Sequence, residues 1–247
     1  KILTIMFILF LIFGSIFFIA TKSFEQEEKK HIEKIIQEKT EVEENIQVIK
    51  IPIDETHAFI SYAKEPKSVR QWVTNTSTKH IVINGAYFLE DYTPAGYLVV
   101  DGDVVNTNMF DQERSGMLIF DNEKIYIQDL SIKKFKENTS VDFALQSYPF
   151  LIKNKKNAIK VDSGMLARRT AIGIDEKEEN IYLFIVVNKA ISLFQMAEEI
   201  EKMNMNLKYV LNLDGGPSTG IYNNYFGEEN IINSFVPVSS VVVFEKK

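Results

Sequence analysis

The stretch from Leu211 to Gly220, LNLDGGPSTG, sets an acid at the end of an apolar strand and follows it with two glycines and two hydroxyls. Glycine N–H groups can approach an anion closely, Ser218 and Thr219 add hydroxyl donors, and Asp214 places a carboxylate beside Gly215 and Gly216. An acid next to an anion cradle suits cleavage of a bond to phosphate, although the same residues also make a tight turn. A second segment, INGAYFLEDYTPAGYLVVDG from Ile83 to Gly102, runs an apolar strand into Asn84-Gly85. It offers an amide, and Tyr87 or Phe88 to stack on a sugar face; a hairpin with core aromatics has the same composition. The third is ALQSYPFLI, Ala144 to Ile152, and the fourth ARRTAIGID, Ala167 to Asp175. Arg168 and Arg169 stand side by side in a lysine-rich chain, and a guanidinium can grip phosphate oxygens with two parallel bonds where lysine cannot. A solvent-facing arginine pair is the bland alternative.

These segments need a sheet to hold them. Thr56 to Ala63, His80 to Ile83, Tyr97 to Val100, Met117 to Phe120, Lys124 to Gln128 and Phe143 to Gln146 carry β-branched or aromatic residues between turn formers. Asp101-Gly102 has the chemistry of a tight hairpin, and Asp121-Asn122-Glu123 repeats the plan before Lys124. After Ala171 the pattern becomes strand (Ile181 to Val187), helix, strand (Leu207 to Leu213). Ser192 and Gln195 form a capping box, and Phe194, Ala197, Ile200 and Met203 give that helix one apolar face. The expected fold class is α+β, a mixed, β-sheet-rich single domain with a few helices. The acid then lies at the carboxyl end of a strand, a common place for ligands in mixed sheets.

Taken together and in this order, NGAYF, TPAG, QSYPFL, RTAIGI and LDGGPS resemble the phosphodiester glycosidase family across roughly Ile51 to Lys247. The resemblance implies hydrolysis of a glycosyl phosphodiester, a sugar-1-phosphate diester, in envelope or exopolysaccharide metabolism. It maps Asn84, Gln146, Arg169 and Asp214 onto the family's polar positions, the catalytic candidates, and leaves Arg168 outside the match. The substrate-binding candidates are Gly85, Tyr87, Phe88, Thr93, Ser147, Gly215, Gly216, Ser218 and Thr219. Ala86 and Tyr148 stand where the family usually has glycine, so an added side chain is expected to narrow the pocket or alter specificity. Glycoside hydrolysis usually employs two carboxyl groups, and the matched motifs hold one. A departing phosphate monoester has a second pKa near 6, so a cation can replace the missing acid. Asp214 is then nucleophile or water-activating base, Arg169 and the Gly215-Gly216-Ser218 cradle stabilise the phosphate, and Asn84 and Gln146 orient the substrate. Glu90 and Asp91 are the nearest second acids, or simply a solvated loop. The alternatives are a non-catalytic binding module for phosphate-bearing surface glycopolymers and a scaffold component of an envelope complex.

Composition narrows the field. Across 247 residues, 28 Lys and Arg against 34 Asp and Glu give a net charge of −6, which disfavours a general nucleic-acid binder. There is no cysteine, so no thiolate nucleophile and no Cys-based zinc site. His31, His57 and His80 are the only histidines, and His57 and His80 read as structural. No cofactor is identified, and a divalent cation on Asp side chains has no EF-hand-like spacing behind it. The expected organisation is a transmembrane anchor over residues 1–21, a charged helical stalk over 22–50, and the glycosidase-like domain over 51–247. Ile2 to Ala20 is almost wholly apolar, close to the length that crosses a bilayer, and the bulky Phe18 argues against a cleaved signal. Lys1 precedes the run while Lys22, Lys29 and Lys30 follow it, so charge leaves its orientation open. Membrane anchoring with an extracytoplasmic domain is the resulting expectation. Self-association through His31, Ile32, Ile35, Ile36 and Lys39 is weaker than a plain spacer reading.

Overall fold

A computed structural model describes residues 26–27, 29–30, 46–74, 77–136 and 139–247. The apolar run Ile2 to Ala20, the stalk's apolar stripe and most of the stalk lie outside them; Gln26, Glu27, Lys29 and Lys30 are helical. Among the described residues no helix is long and apolar enough to cross a membrane.

Residues 45–247 form a compact unit. Its strands are β1 (Ile46–Pro52), β2 (Thr56–Lys67), β3 (His80–Asn84), β4 (Leu98–Val100), β5 (Asp103–Asn106), β6 (Gly116–Asp121), β7 (Lys124–Asp129) and β8 (Phe143–Ser147). There follow β9 (Phe150–Lys153), β10 (Lys156–Asn157), β11 (Ala167–Asp175), β12 (Asn180–Ile191), β13 (Leu207–Asn212), β14 (Ile221–Asn223), β15 (Asn230–Ile232) and β16 (Val238–Lys246). Two short helices, α1 (Val69–Trp72) and α2 (Leu193–Lys202), and a 3-10 turn at Gly216–Ser218 complete the described elements.

Three sheets form, in the orders β1-β12-β11-β13-β9-β10, β15-β14-β3-β16-β2 and β5-β4-β8-β6-β7. Their pairings are antiparallel throughout. This corrects the expected mixed sheet. In the strand-helix-strand unit, β11 lies between β12 and β13 and runs opposite to both, so the strand-end rule of parallel sheets does not locate the site. The first strand also begins at Ile46, inside the stretch read as stalk, because Ile46, Ile49 and Ile51 are buried where β1 pairs with β12.

One core is shared by all three sheets. Ile51, Ile172 and Leu211 from the first sheet meet Ile60, Ile83 and Phe244 from the second and Leu98, Leu118 and Leu145 from the third. The opposite face of the first sheet is covered by α2 through Met196, Ala197 and Ile200. That helix starts as expected, with reciprocal bonds between Ser192 and Gln195. The hairpins are also in place: Asp101 and Gly102 turn β4 into β5, and Asn122 and Glu123 turn β6 into β7, all four at positive φ.

An ion pair fastens the first sheet to the third. Lys153 Nζ lies 2.7 Å from the buried Asp129 carboxylate, which also accepts bonds from Ser131 N and Oγ. Burial alone would raise the Asp129 pKa, but Lys153 and Ser131 outweigh it and hold the carboxyl below the usual range. A depressed native pKa contributes stability above the unfolded-chain value, and that contribution is lost as pH falls through the native value. Lys153→Met is accordingly expected to lower the unfolding free energy at pH 7 by about 1–3 kcal/mol, the cost of a buried charge short of a partner. Urea unfolding should show this deficit shrinking once acid protonates Asp129.

Candidate active site

Four strand ends meet at one place. β13 ends at Asn212, and Leu213 N donates to Thr170 O of β11 at 2.9 Å. Asp214 N donates to Gly85 O, just beyond β3, at 3.3 Å, and Asn212 N donates to Pro149 O, just beyond β8, at 3.0 Å. The motif-bearing segments thus converge, although they come from two different sheets and the segment following a strand of the third.

Asn84 ties this junction. Its Nδ2 donates to Asp214 O at 2.7 Å, and its Oδ1 accepts from Thr170 Oγ1 at 2.7 Å and Gly220 N at 3.2 Å. The side chain is fully buried. Gln146 is also fully buried and committed internally: Oε1 accepts from Phe110 N at 2.9 Å, and Nε2 donates to Phe110 O at 3.0 Å and Ser115 Oγ at 2.8 Å. Where Asn84 and Gln146 were expected to face a substrate, both spend their amides on hydrogen bonds inside the protein. Ser147 is likewise buried, donating from Oγ to Asn212 O at 2.6 Å.

Asp214 is half-buried. Burial pushes its carboxyl above the usual carboxylate range, against the Ser218 hydroxyl and the Gly215 N–H that stabilise the charged form. Gly215 N lies 2.8 Å from Asp214 Oδ1. A Cβ on Gly215 would sit 3.0 Å from Arg168 O and 3.8 Å from Arg169 Cδ, so the turn lies directly against the two arginines. Gly216 has φ +58° with open space where a Cβ would point. Gly216→Ala should therefore cost only the left-handed backbone, about 1–2 kcal/mol in denaturant-measured stability.

Tyr87 lies in the same electrostatic neighbourhood as Asp214 and Arg169. Burial raises its phenol well above the usual tyrosine range; Asp214 and Tyr148 add to the rise and Arg169 opposes it. Its hydroxyl donates to Tyr148 O at 3.0 Å and accepts from Asn212 Nδ2. The Tyr87 and Tyr148 rings lie 5.3 Å apart, and Phe110, held by Gln146, packs edge-on to Tyr148 at 4.7 Å. Arg169 is fixed by bonds from Nε to Ile191 O at 3.0 Å and from Nη2 to Met165 O at 2.5 Å. Burial lowers its pKa and Tyr87 counters that. Arg168 points elsewhere: its guanidinium stacks on Phe235 at 4.3 Å, with Nε and Nη1 buried and without partners.

Phe88 and Thr93 find their partners elsewhere. Phe88 stacks on Tyr92 and packs with the α1 cluster, not beside Asp214. Thr93 spends its hydroxyl and N–H on Asp91 Oδ1, which hold that carboxyl below the usual range in an exposed turn, and Glu90 is exposed next to it. Gly85 is pressed against Ser240, whose Oγ would lie 2.7 Å from an added Cβ. Ala86 does not narrow a pocket: its methyl belongs to the shared core and its N–H donates to Ser240 Oγ. Tyr148 does border the cluster, as expected from its position in QSYPFL. Thr219 is buried with an unpartnered hydroxyl. Asn212 and Thr170 also belong to the junction, and an amide in an otherwise apolar strand is the sequence signal for the first. Asn212 Oδ1 is a buried acceptor with no partner. Among the described residues no group of three or more His, Asp or Glu converges as metal ligands would.

The phosphodiester glycosidase family model matches residues 77–245, more than half the chain. The chain belongs to that family. This phosphodiester glycosidase is thereby a hydrolase for glycosyl phosphodiesters, the class its motifs resemble. Its fold is similar to the catalytic domain of zebrafish N-acetylglucosamine-1-phosphodiester alpha-N-acetylglucosaminidase, auto-inhibited by its pro-peptide, at 17% identity and a TM-score of 0.59 over 82% of each chain. It is also similar to a hypothetical protein from Synechocystis, at 12% identity and a TM-score of 0.54, over 81% of this chain and 59% of that one. No curated protein matches in sequence.

Proposed function

We propose that this phosphodiester glycosidase cleaves a sugar-1-phosphate diester on the sugar side of the bridging oxygen, with Asp214 acting at the anomeric carbon and Arg169 receiving the phosphate. The observation that supports this reading is the packing of Gly215, the residue after Asp214, against Arg169, whose Cδ would lie 3.8 Å from an added Cβ. The bond from the anomeric carbon to oxygen breaks, and its electron pair leaves with the phosphate monoester, which needs no proton near neutral pH. Asp214 either bonds to that carbon directly or takes a proton from the attacking water. Retention of configuration marks the first route and inversion the second. A carboxylate whose pKa is raised serves either role better than an ordinary one.

Arg169 is the donor for the charge that develops on the leaving phosphate, while the Gly215 N–H stays on Asp214 Oδ1. Tyr87 stays neutral, its hydroxyl donating to Tyr148 O. The core position of Ala86 removes one ground for a non-catalytic module. We place the substrate among phosphate-bearing polymers of the cell envelope, a placement supported by the apolar run from Ile2 to Ala20 and tested by whether the full chain sediments with membranes.

The activity is tested by incubating the protein with the methyl diester of N-acetylglucosamine 1-phosphate and measuring free sugar and methyl phosphate. Equimolar release is the expected result, with the oxygen of 18O-labelled water found in the free sugar; label in the methyl phosphate would mean attack at phosphorus and overturn cleavage at the anomeric carbon. Release of methanol instead of free sugar would show cleavage on the wrong side of phosphorus, and no release would remove the reading for this sugar class.

A further inference from the structure

Large apolar side chains gather at the border of the arginine pair. Met165 is 73% exposed, Leu166 61%, Phe235 78% and Tyr148 41%. Each is tied to the site. Met165 gives its carbonyl to Arg169, Leu166 is the residue before β11 enters with Ala167, Phe235 lies over Arg168, and Tyr148 packs on Tyr87. Val161, in the same loop as Met165, is 78% exposed as well.

A soluble surface seldom groups such residues unless something covers them. A second sugar is a poor occupant, because its hydroxyls need polar partners that Met165, Leu166 and Phe235 do not carry. The patch adjoins the Arg169 guanidinium through Met165, and Phe235 N donates to Pro217 O in the turn after Asp214, so the ligand that suits both patch and cation is an anion with a hydrocarbon tail. We infer that the alcohol on the far side of the substrate's phosphate is a hydrocarbon alcohol, its chain lying over Leu166 and Phe235 while the phosphate meets Arg169. This rests on the function proposed above and names its substrate class more closely: an amphiphilic sugar-phosphate diester.

The test compares the methyl and octyl diesters of N-acetylglucosamine 1-phosphate, the octyl compound kept below the concentration at which it aggregates. Wild type should show kcat/KM roughly thirtyfold higher for the octyl diester, what burial of two to three methylenes supplies. The double variant Leu166→Ser with Phe235→Ser should bring that ratio close to one while leaving the methyl diester's rate unchanged. Equal kcat/KM for both diesters in wild type overturns the inference and leaves the reading of the site intact. An octyl advantage that survives in the double variant overturns its placement on this patch. Hydrolysis of neither diester sinks the site reading, and the inference with it. Equal turnover joined to co-sedimentation with phosphatidylcholine vesicles, lost in the double variant, makes the patch a membrane-facing surface and also overturns the inference.

Discussion

Replacing Asp214 with Asn should lower kcat/KM on the methyl diester at least about a thousandfold while making the protein harder to unfold. The first effect follows from removing the carboxylate that the described residues place at the junction, whether it attacks carbon or activates water. The second follows from its environment. Burial raises the carboxyl's pKa in the folded protein, so the native state binds that proton more tightly than the unfolded chain does. The advantage is complete below the unfolded-chain pKa and is lost as pH rises through the native one, leaving a desolvated charge at pH 7. Asn removes that charge and keeps an oxygen for the Gly215 N–H. Each kcal/mol relieved corresponds to a rise in Tm of about 2–4 °C for a domain of this size. Calorimetry should find the gain larger at pH 7 than at pH 4. In wild type, the acid limb of the rate profile should lie above the ordinary aspartate value of about 3.9. Loss of rate with loss of stability would mean that Asp214 holds the fold instead of doing chemistry.

Arg169→Met is expected to reduce kcat/KM by about a hundred- to a thousandfold, the range for one preorganised donor to developing charge. Arg169→Lys should recover less than about a tenth of the lost rate although it keeps the charge. Lysine's single ammonium cannot reproduce the separate anchors to Ile191 O and Met165 O and still present a planar edge to phosphate. The decisive measurement is the rate ratio between methyl phosphate and better leaving groups. If Arg169 stabilises the departing phosphate, both variants should gain disproportionately on diesters whose phosphate leaves readily. A uniform loss across leaving groups would assign Arg169 to holding the Met165 loop alone.

Much of this fold was legible wherever the determining interactions are local. The Asp101-Gly102 and Asn122-Glu123 turns declare themselves through residues that tolerate positive φ, and the Ser192–Gln195 box starts α2 in four residues. β1 was missed because Ile46 to Lys50 alternates too irregularly to announce a strand, and its identity comes from β12, more than a hundred positions away. At the site the motifs located the right neighbourhood but not the direction of each side chain. Asn84, Gln146 and Ser147 carry polar groups that could equally serve a ligand or the backbone, and only the packing of three sheets decides for the backbone. Ala86 looked like an obstruction because a missing glycine says nothing about which side of the chain its methyl occupies. Asn212, two residues before Asp214, is hidden for the reverse reason, its partners being the Tyr87 hydroxyl and the Tyr148 backbone carbonyl, brought in from distant segments.

The place of β16 has a bearing on biosynthesis. It lies between β3 and β2 in its sheet, and Ser240 receives the N–H groups of Gly85 and Ala86 beside the acid. On the ribosome, β2 and β3 emerge long before the strand that joins them, and their open edges must wait through some 150 residues of synthesis. The nascent chain therefore carries every motif of its chemistry before the strand that joins β2 to β3 has been made.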